Sequence, residues 1–445
     1  MSDFIWPMAM LLALMAGIFS GYPVAFVLAG VGIIFSVIAD VPILFLSLGM
    51  QRIFSGVLTN WLLIAIPLFV FMGLMLERSG VAERLLRSLA TLFRTLPGGY
   101  AFAVALIGVI MAASTGIIGA SVVLMGMMAL PPMLANGYDP KISTGLIAAS
   151  GTLGILIPPS VMLIILGDQL GISVGSLFIG AVGPGLLLAL LYVAYLAFVV
   201  WRQPERMPPI AQEPHANFGA LVLRLVFDLM LPIVLILSVL GTIVAGIATP
   251  TESAAIGAAG AMILALISRR LDIATLGRAL SDTTRTTAMI IFVMIGATIF
   301  SLIFRKLGGD KMILDLFLLE GITPYASFLL IMGVVFVLGF FLEWVEITLV
   351  VVPIVAPVIV GLDFGLEKDA ALAWFAIALA VNLQTSFLTP PFGYALFYLR
   401  GIAPDVPITT IYRGVMPFVG LQMFALALII VFPGIAIWLP AYLGR

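Results

Sequence analysis

Two short runs place polar chemistry where an apolar helix should run unbroken. They are Ser150-Gly151-Thr152-Leu153-Gly154-Ile155-Leu156-Ile157-Pro158-Pro159-Ser160 and Asn382-Leu383-Gln384-Thr385-Ser386-Phe387-Leu388-Thr389-Pro390-Pro391-Phe392-Gly393. A Pro-Pro pair removes amide donors and clashes with the preceding turn, so the helix breaks and leaves carbonyls and half-helix ends at membrane depth. Such carbonyls, joined by Ser and Thr hydroxyls, suit a hard cation such as sodium, and no carboxylate is strictly required. One Ser or Thr in a membrane helix usually bonds back to its own carbonyl, and a lone Pro-Pro is usually a kink. Here the pattern recurs. The Pro-Pro pairs stand 232 residues apart, and the downstream Gly183-Pro184 and Met416-Pro417 stand 233 apart. The chain therefore reads as two related halves built around two sites, an arrangement that points to transport.

The elements that must hold these sites follow from composition. With 63% hydrophobic and 9% charged residues and a mean hydropathy of +1.27, the chain cannot keep a soluble surface and reads as a polytopic membrane protein. The apolar stretches near 4–20, 22–39, 61–76, 98–136, 139–175 and 180–201 are followed by a matching series at 218–242, 248–268, 286–304, 321–361, 365–400 and 415–439. The first half is expected over 1–201, a Pro- and charge-rich linker over 202–217 and the second half over 218–445. Segments 98–136 and 321–361 are too long for one crossing and are interrupted by Ala112-Ala113-Ser114-Thr115-Gly116 and Glu343-Trp344-Val345-Glu346-Ile347-Thr348. Each is expected to be a re-entrant hairpin; the alternative is two complete short spans, for which about 17 residues each are the minimum. Stretches 40–56, 77–96 and 269–285 are amphipathic and read as arms lying along the interface.

If the hairpins do not cross, each half has an odd number of crossings and the second half is inverted. With the linker in the cytoplasm, fourteen of the 20 Lys and Arg fall on the cytoplasmic side, as the positive-inside bias requires. Both termini then lie outside. The expected fold is all-α: two inverted repeats, each with a re-entrant hairpin and a broken helix (139–175 and 365–400).

The first ion site is expected between the hairpin tip, Ser114, Thr115 and Gly116, and the break at Ser150, Gly151, Thr152, Gly154 and Pro158. Its counterpart combines Glu346 and Thr348 with Gln384, Thr385, Ser386, Thr389 and Pro390. Glu343, Glu346, Pro159 and Pro391 are expected on the substrate path, because intramembrane carboxylates are functional by default and half-helix N-termini favour a substrate carboxylate. Glu252 reads instead as a first-turn helix carboxylate, with Thr249 or Thr251 as cap. The single histidine, His215, falls in the linker and reads as solvated.

The Gly-Thr-Leu-Gly-Ile-Leu-Ile-Pro-Pro-Ser run, the Leu-Thr-Pro-Pro-Phe-Gly run and Ala248-Thr249-Pro250-Thr251-Glu252-Ser253-Ala254-Ala255 closely resemble the large membrane subunit of tripartite ATP-independent periplasmic transporters. The likeness covers essentially the whole chain. It implies a secondary transporter of the bacterial inner membrane, driven by sodium as coupling ion with no other cofactor, moving an organic anion such as a carboxylate inward by an elevator motion. It also implies two partners: a small four-helix membrane subunit and a periplasmic binding protein that delivers substrate. The tip departs from the Asp-Pro-Thr of many dicarboxylate members, having Glu343-Trp344-Val345 followed by Glu346, which argues against a four-carbon dicarboxylate.

Other classes fit poorly. An intramembrane serine protease needs a membrane-embedded His, an aspartyl protease two facing aspartates and a metalloenzyme a His-rich cluster, and the sequence offers none of these. No cysteine is present, and the net charge of −1 carries no signal for nucleic acid. A channel usually needs symmetric subunits around a pore. The nearest alternative is a stand-alone sodium-coupled carboxylate cotransporter of related fold, working without a binding protein.

Overall fold

The computed structural model describes residues 4–115, 118–210, 218–317, 322–391 and 393–444, all helix and connecting turn with no strand among them. Among these residues nine helical segments are long and apolar enough to cross a bilayer. The first half opens with α1 (Ile5–Phe19), α2 (Val24–Ile38), α3 (Ile43–Ile53), α4 (Ala65–Arg78) and α5 (Val81–Phe93), and continues with the hairpin arms α6 (Gly99–Thr115) and α7 (Ile118–Ala135). The broken helix follows as α8 (Pro140–Thr152) and α9 (Val161–Leu170), and α10 (Val174–Arg202) closes the half. The second half repeats the order with α11 (Phe218–Val244), α12 (Pro250–Ile267), α13 (Ile273–Lys306), α14 (Gly309–Phe317) and the hairpin arm α15 (Pro324–Leu338). Its return arm is α16 (Trp344–Glu346), a π-helical turn over Ile347–Val351 and α17 (Val352–Gly361). The second broken helix is α18 (Lys368–Leu388) and α19 (Tyr394–Ile402), followed by α20 (Ile408–Val431) and α21 (Gly434–Tyr442).

Local chemistry sets the helix starts. Asp139 caps α8 through Lys141 N at 2.7 Å, and Asp272 caps α13 through Thr275 N at 2.6 Å. At α12 the Thr249 amide donates to Glu252 at 2.8 Å while the Glu252 amide donates to Thr249 Oγ1 at 3.3 Å, a reciprocal capping box. Glu252 is thus a capping residue, and of the two threonines Thr249 is the cap.

Packing sorts the helices into a frame and an inner body. In the frame α2 lies on α13 and α4 on α12, so helices from the start of each half pack on helices from the start of the other. This exchange is what a two-fold relation between the halves produces. Ion pairs reinforce it: Arg78 pairs with Asp282, and Arg84 Nε lies 3.2 Å from buried Asp228 and donates through Nη2 to Ser268 Oγ at 2.8 Å. The inner body is centred on α18, which is buried along almost its whole length among α10, α15, α20 and α21. Beside it α8 packs on α6, α7 and α20. Where α8 crosses α20, a Cβ on Gly145 would fall 2.1 Å from the Gly414 carbonyl oxygen, so the backbones touch as small residues allow.

Two expectations are corrected. The arm at 269–285 and the crossing at 286–304 form one helix, α13, because Thr283 and Thr284 return their hydroxyls to Ala279 O and Leu280 O at 2.8 Å and nothing interrupts the ladder. At about 1.5 Å per residue its 34 residues span about 51 Å, well beyond a hydrocarbon core of about 30 Å. The final stretch at 415–439 is divided at Phe432 and Pro433 between α20 and α21. The linker region is docked at its start: Gly98 N donates to Met207 O at 2.8 Å, Ile210 N to Arg94 O at 3.0 Å, and Arg206 pairs with Asp139 at 2.6 Å. His215 lies outside the described residues.

Candidate functional site

A cavity of about 410 Å³ opens between the frame and the inner body. Val70 of α4 and Thr286, Met289 and Ile290 of α13 form its frame side. The opposite wall contains the first described residue of four helices: Ile118 of α7, Val161 of α9, Trp344 of α16 and Tyr394 of α19. The first amides of a helix have no intrahelical partner and carry the positive end of its dipole. The starts of α9, α16 and α19, from both halves, thus place three positive ends on one space, which favours an anionic group there. Phe387, Tyr394 and Tyr398 add aromatic surface, Glu343 adds a carboxylate, and none of the described lining residues is Lys, Arg or His.

The first break unwinds as expected. α8 ends at Thr152, one 3₁₀ turn covers Leu153–Ile155, and α9 starts after Ser160, leaving Gly154, Pro158 and Pro159 in the connection. The hairpin clamps it from both sides. A Cβ on Gly108 of α6 would lie 2.4 Å from Ser150 Cβ, and one on Gly151 would lie 2.4 Å from Val122 Cγ2 of α7, so glycine is required for this approach. Among the described residues Ser150 Oγ is buried without a hydrogen-bond partner, whereas Thr152 Oγ1 donates to Ala149 O at 2.9 Å. Ser114 and Thr115 end α6; their side chains, and Gly116 entirely, lie outside the described residues.

The second half-site differs in one respect. The turn between the hairpin arms lies at Gly339–Glu343, earlier than expected, and Trp344, Glu346 and Thr348 belong to the return arm. Gly339 ends α15 and packs so closely on α18 that a Cβ there would meet Ser386 Oγ at 2.1 Å, which sets the turn at this point. Glu346 Oε2, Thr348 Oγ1 and Gln384 Oε1 are buried with no hydrogen-bond partner among the described residues. Thr385, Ser386 and Thr389 donate to Val381 O at 2.8 Å, Leu383 O at 2.9 Å and Thr385 O at 2.7 Å, spending their protons locally and keeping lone pairs. The connection at Thr389–Gly393 carries Pro390 and Pro391, and the Pro158–Pro159 and Pro390–Pro391 bonds are both cis. Four expected ligands, Ser150, Glu346, Thr348 and Gln384, therefore hold buried oxygens with no partner among the described residues, oxygens of the kind a hard cation takes.

Two residues absent from the motifs join the half-sites. Gln422 of α20 donates through Nε2 to Tyr192 Oη of α10 at 2.7 Å and to Thr152 Oγ1 at 3.3 Å, and Gln384 Nε2 reaches the same Tyr192 Oη at 3.4 Å. Gln422 stands alone as an amide within the apolar run 414–431, which is the signal that could have singled it out. Tyr192, Trp344, Tyr394 and Tyr398 carry no such signal, since aromatic residues are ordinary in apolar spans.

The family model described as the tripartite ATP-independent periplasmic transporter, DctM component, matches residues 10–435. A C4-dicarboxylate TRAP transporter large permease of Vibrio cholerae is 27% identical over 88% of this chain and 88% of its own length. A sialic acid TRAP transporter large permease of the same organism is 29% identical over 95% of this chain and 96% of its own. Among solved structures, the YdaH transporter of Alcanivorax borkumensis, described as having an unusual topology, superposes with a TM-score of 0.60 at 16% identity over 87% of this chain and 89% of that one. This last likeness is one of fold.

Proposed function

Since the chain belongs to the DctM component family of tripartite ATP-independent periplasmic transporters, we propose that it is the large permease of a sodium-coupled importer that moves an organic carboxylate across the bacterial inner membrane by an elevator motion. The observation that carries this reading is the cavity between frame and inner body on which the starts of α9, α16 and α19 converge. A carboxylate seated there is held by unpaired amides and dipole ends without any basic side chain. The two relatives' names, one for a C4-dicarboxylate and one for sialic acid, support an acidic solute. The orphaned oxygens of Ser150, Glu346, Thr348 and Gln384 support sodium as the coupling ion. A small four-helix membrane subunit completes the frame and a periplasmic protein delivers the solute.

The test is uptake by the assembled complex in liposomes. A sodium gradient with solute-loaded binding protein should drive accumulation, and a proton gradient without sodium should leave it at background. Accumulation under the proton gradient alone would overturn the sodium assignment. Full sodium-driven uptake by this polypeptide alone would favour the stand-alone cotransporter.

A further inference from the structure

Tyr192, Gln384, Gln422 and Thr152 come from four helices, are at most 1% exposed, and are joined by hydrogen bonds through one tyrosine oxygen. Thr152 belongs to the first break motif and Gln384 to the second, so this is a polar connection from one half-site to the other through the apolar centre. We propose that Tyr192 and Gln422 are positioning residues that couple the two ion sites, so that a sodium ion bound at one raises affinity at the other. The proposal rests on the sodium-coupled reading above.

The donors and acceptors explain the coupling. Tyr192 Oη accepts an amide proton from each glutamine, while Oε1 of both glutamines has no partner and Thr152 spends its own proton on Ala149 O. A buried acceptor left unmade is costly, so each Oε1 favours a cation or a donor. An ion ligated by Gln384 Oε1 holds that amide with its nitrogen on Tyr192. The tyrosine carries one proton of its own, and Gln422 is then the acceptor within reach. Gln422 meets it by turning Oε1 toward Tyr192, which takes Nε2 off Thr152 Oγ1 and frees a lone pair there for the first ion. Because linkage is reciprocal, an ion at Thr152 favours the arrangement that suits one at Gln384.

The coupling is measured as the sodium dependence of uptake by the whole complex in liposomes. The unmodified protein should give a sigmoidal curve, and Thr152→Val and Thr385→Val together should raise half-saturating sodium by less or more than the product of their separate effects. Tyr192→Phe removes the shared oxygen and keeps the ring. It should bring the Hill coefficient toward 1, raise half-saturating sodium roughly 5- to 10-fold, keep the maximal rate, and make the two threonine effects multiply independently. Gln422→Met, of similar shape, should do the same and serves as the test if Tyr192→Phe does not fold. A hyperbolic curve for the unmodified protein, or cooperativity that survives in a folded Tyr192→Phe or Gln422→Met chain, would overturn the coupling. Absence of any sodium activation in the unmodified complex would instead remove the reading on which it rests.

Discussion

Ser150 and Thr348 carry buried hydroxyls with no hydrogen-bond partner among the described residues. A hydroxyl kept solely for structure would have a partner, because leaving it unmade costs about 1–3 kcal/mol. Ser150→Ala and Thr348→Val should therefore leave the thermal midpoint unchanged or raise it, while half-saturating sodium rises roughly tenfold, equivalent to about 1.4 kcal/mol of ion binding. A lower midpoint with unchanged sodium activation would make both hydroxyls structural. Thr385→Val differs: its hydroxyl donates to Val381 O at 2.8 Å, so a small stability loss of about 1 kcal/mol should accompany weaker sodium activation. Much of this is legible in the sequence, because proline and glycine act locally and the repetition of Pro158-Pro159 in Pro390-Pro391 needs no tertiary knowledge. Tyr192 was not legible. Its role depends on α10 meeting α18 and α20, and nothing local distinguishes it from a core aromatic.

At the scale of elements, close approach decides which helices move together. A Cβ on Gly414 would lie 2.2 Å from Lys141 O and one on Gly145 2.1 Å from Gly414 O, so α8 and α20 are fused by contact of their backbones. Gly414→Leu should force them apart at a cost of about 1–3 kcal/mol, read as a lower thermal midpoint in detergent. Uptake should fall more steeply than folded protein, because Thr152 on α8 would be drawn from Gln422 on α20. Gly420→Leu, with nothing within 4 Å of its Cβ position on the same helix, is the control and should do neither. Helix order and the two breaks were readable from hydropathy and proline. The merger of 269–285 with 286–304 was not, since polar threonines look like an end until their protons are seen to return to the helix. The second hairpin turn falls ahead of the polar run for a related reason: Glu346 and Thr348 look like a polar tip in sequence, whereas Gly339, pressed on Ser386, is where the chain turns.

For the whole molecule the question is whether the inner body slides within the frame. Hydrogen bonds among the described residues span the division. Asn60 Nδ2, before α4, donates to Asp168 Oδ1 of α9 at 2.6 Å, and Arg305 Nη2 of α13 donates to Pro353 O of α17 at 3.0 Å. A frame contact of this kind must break if α9 and α17 travel with the inner body. The chain has no cysteine, so Asn60→Cys with Asp168→Cys creates an isolated thiol pair. Bridging it with cadmium or a short bifunctional reagent should abolish uptake in the assembled complex, and a chelator or reductant should restore it. Each single variant treated in the same way should keep its activity, which separates the lock from loss of the hydrogen bond. Ligand binding measured on the locked protein should survive, because the cavity lined by Trp344 and Tyr394 does not include either position. Uptake that continues through a verified cross-link would mean that α9 stays with the frame during transport and that the elevator motion does not operate here.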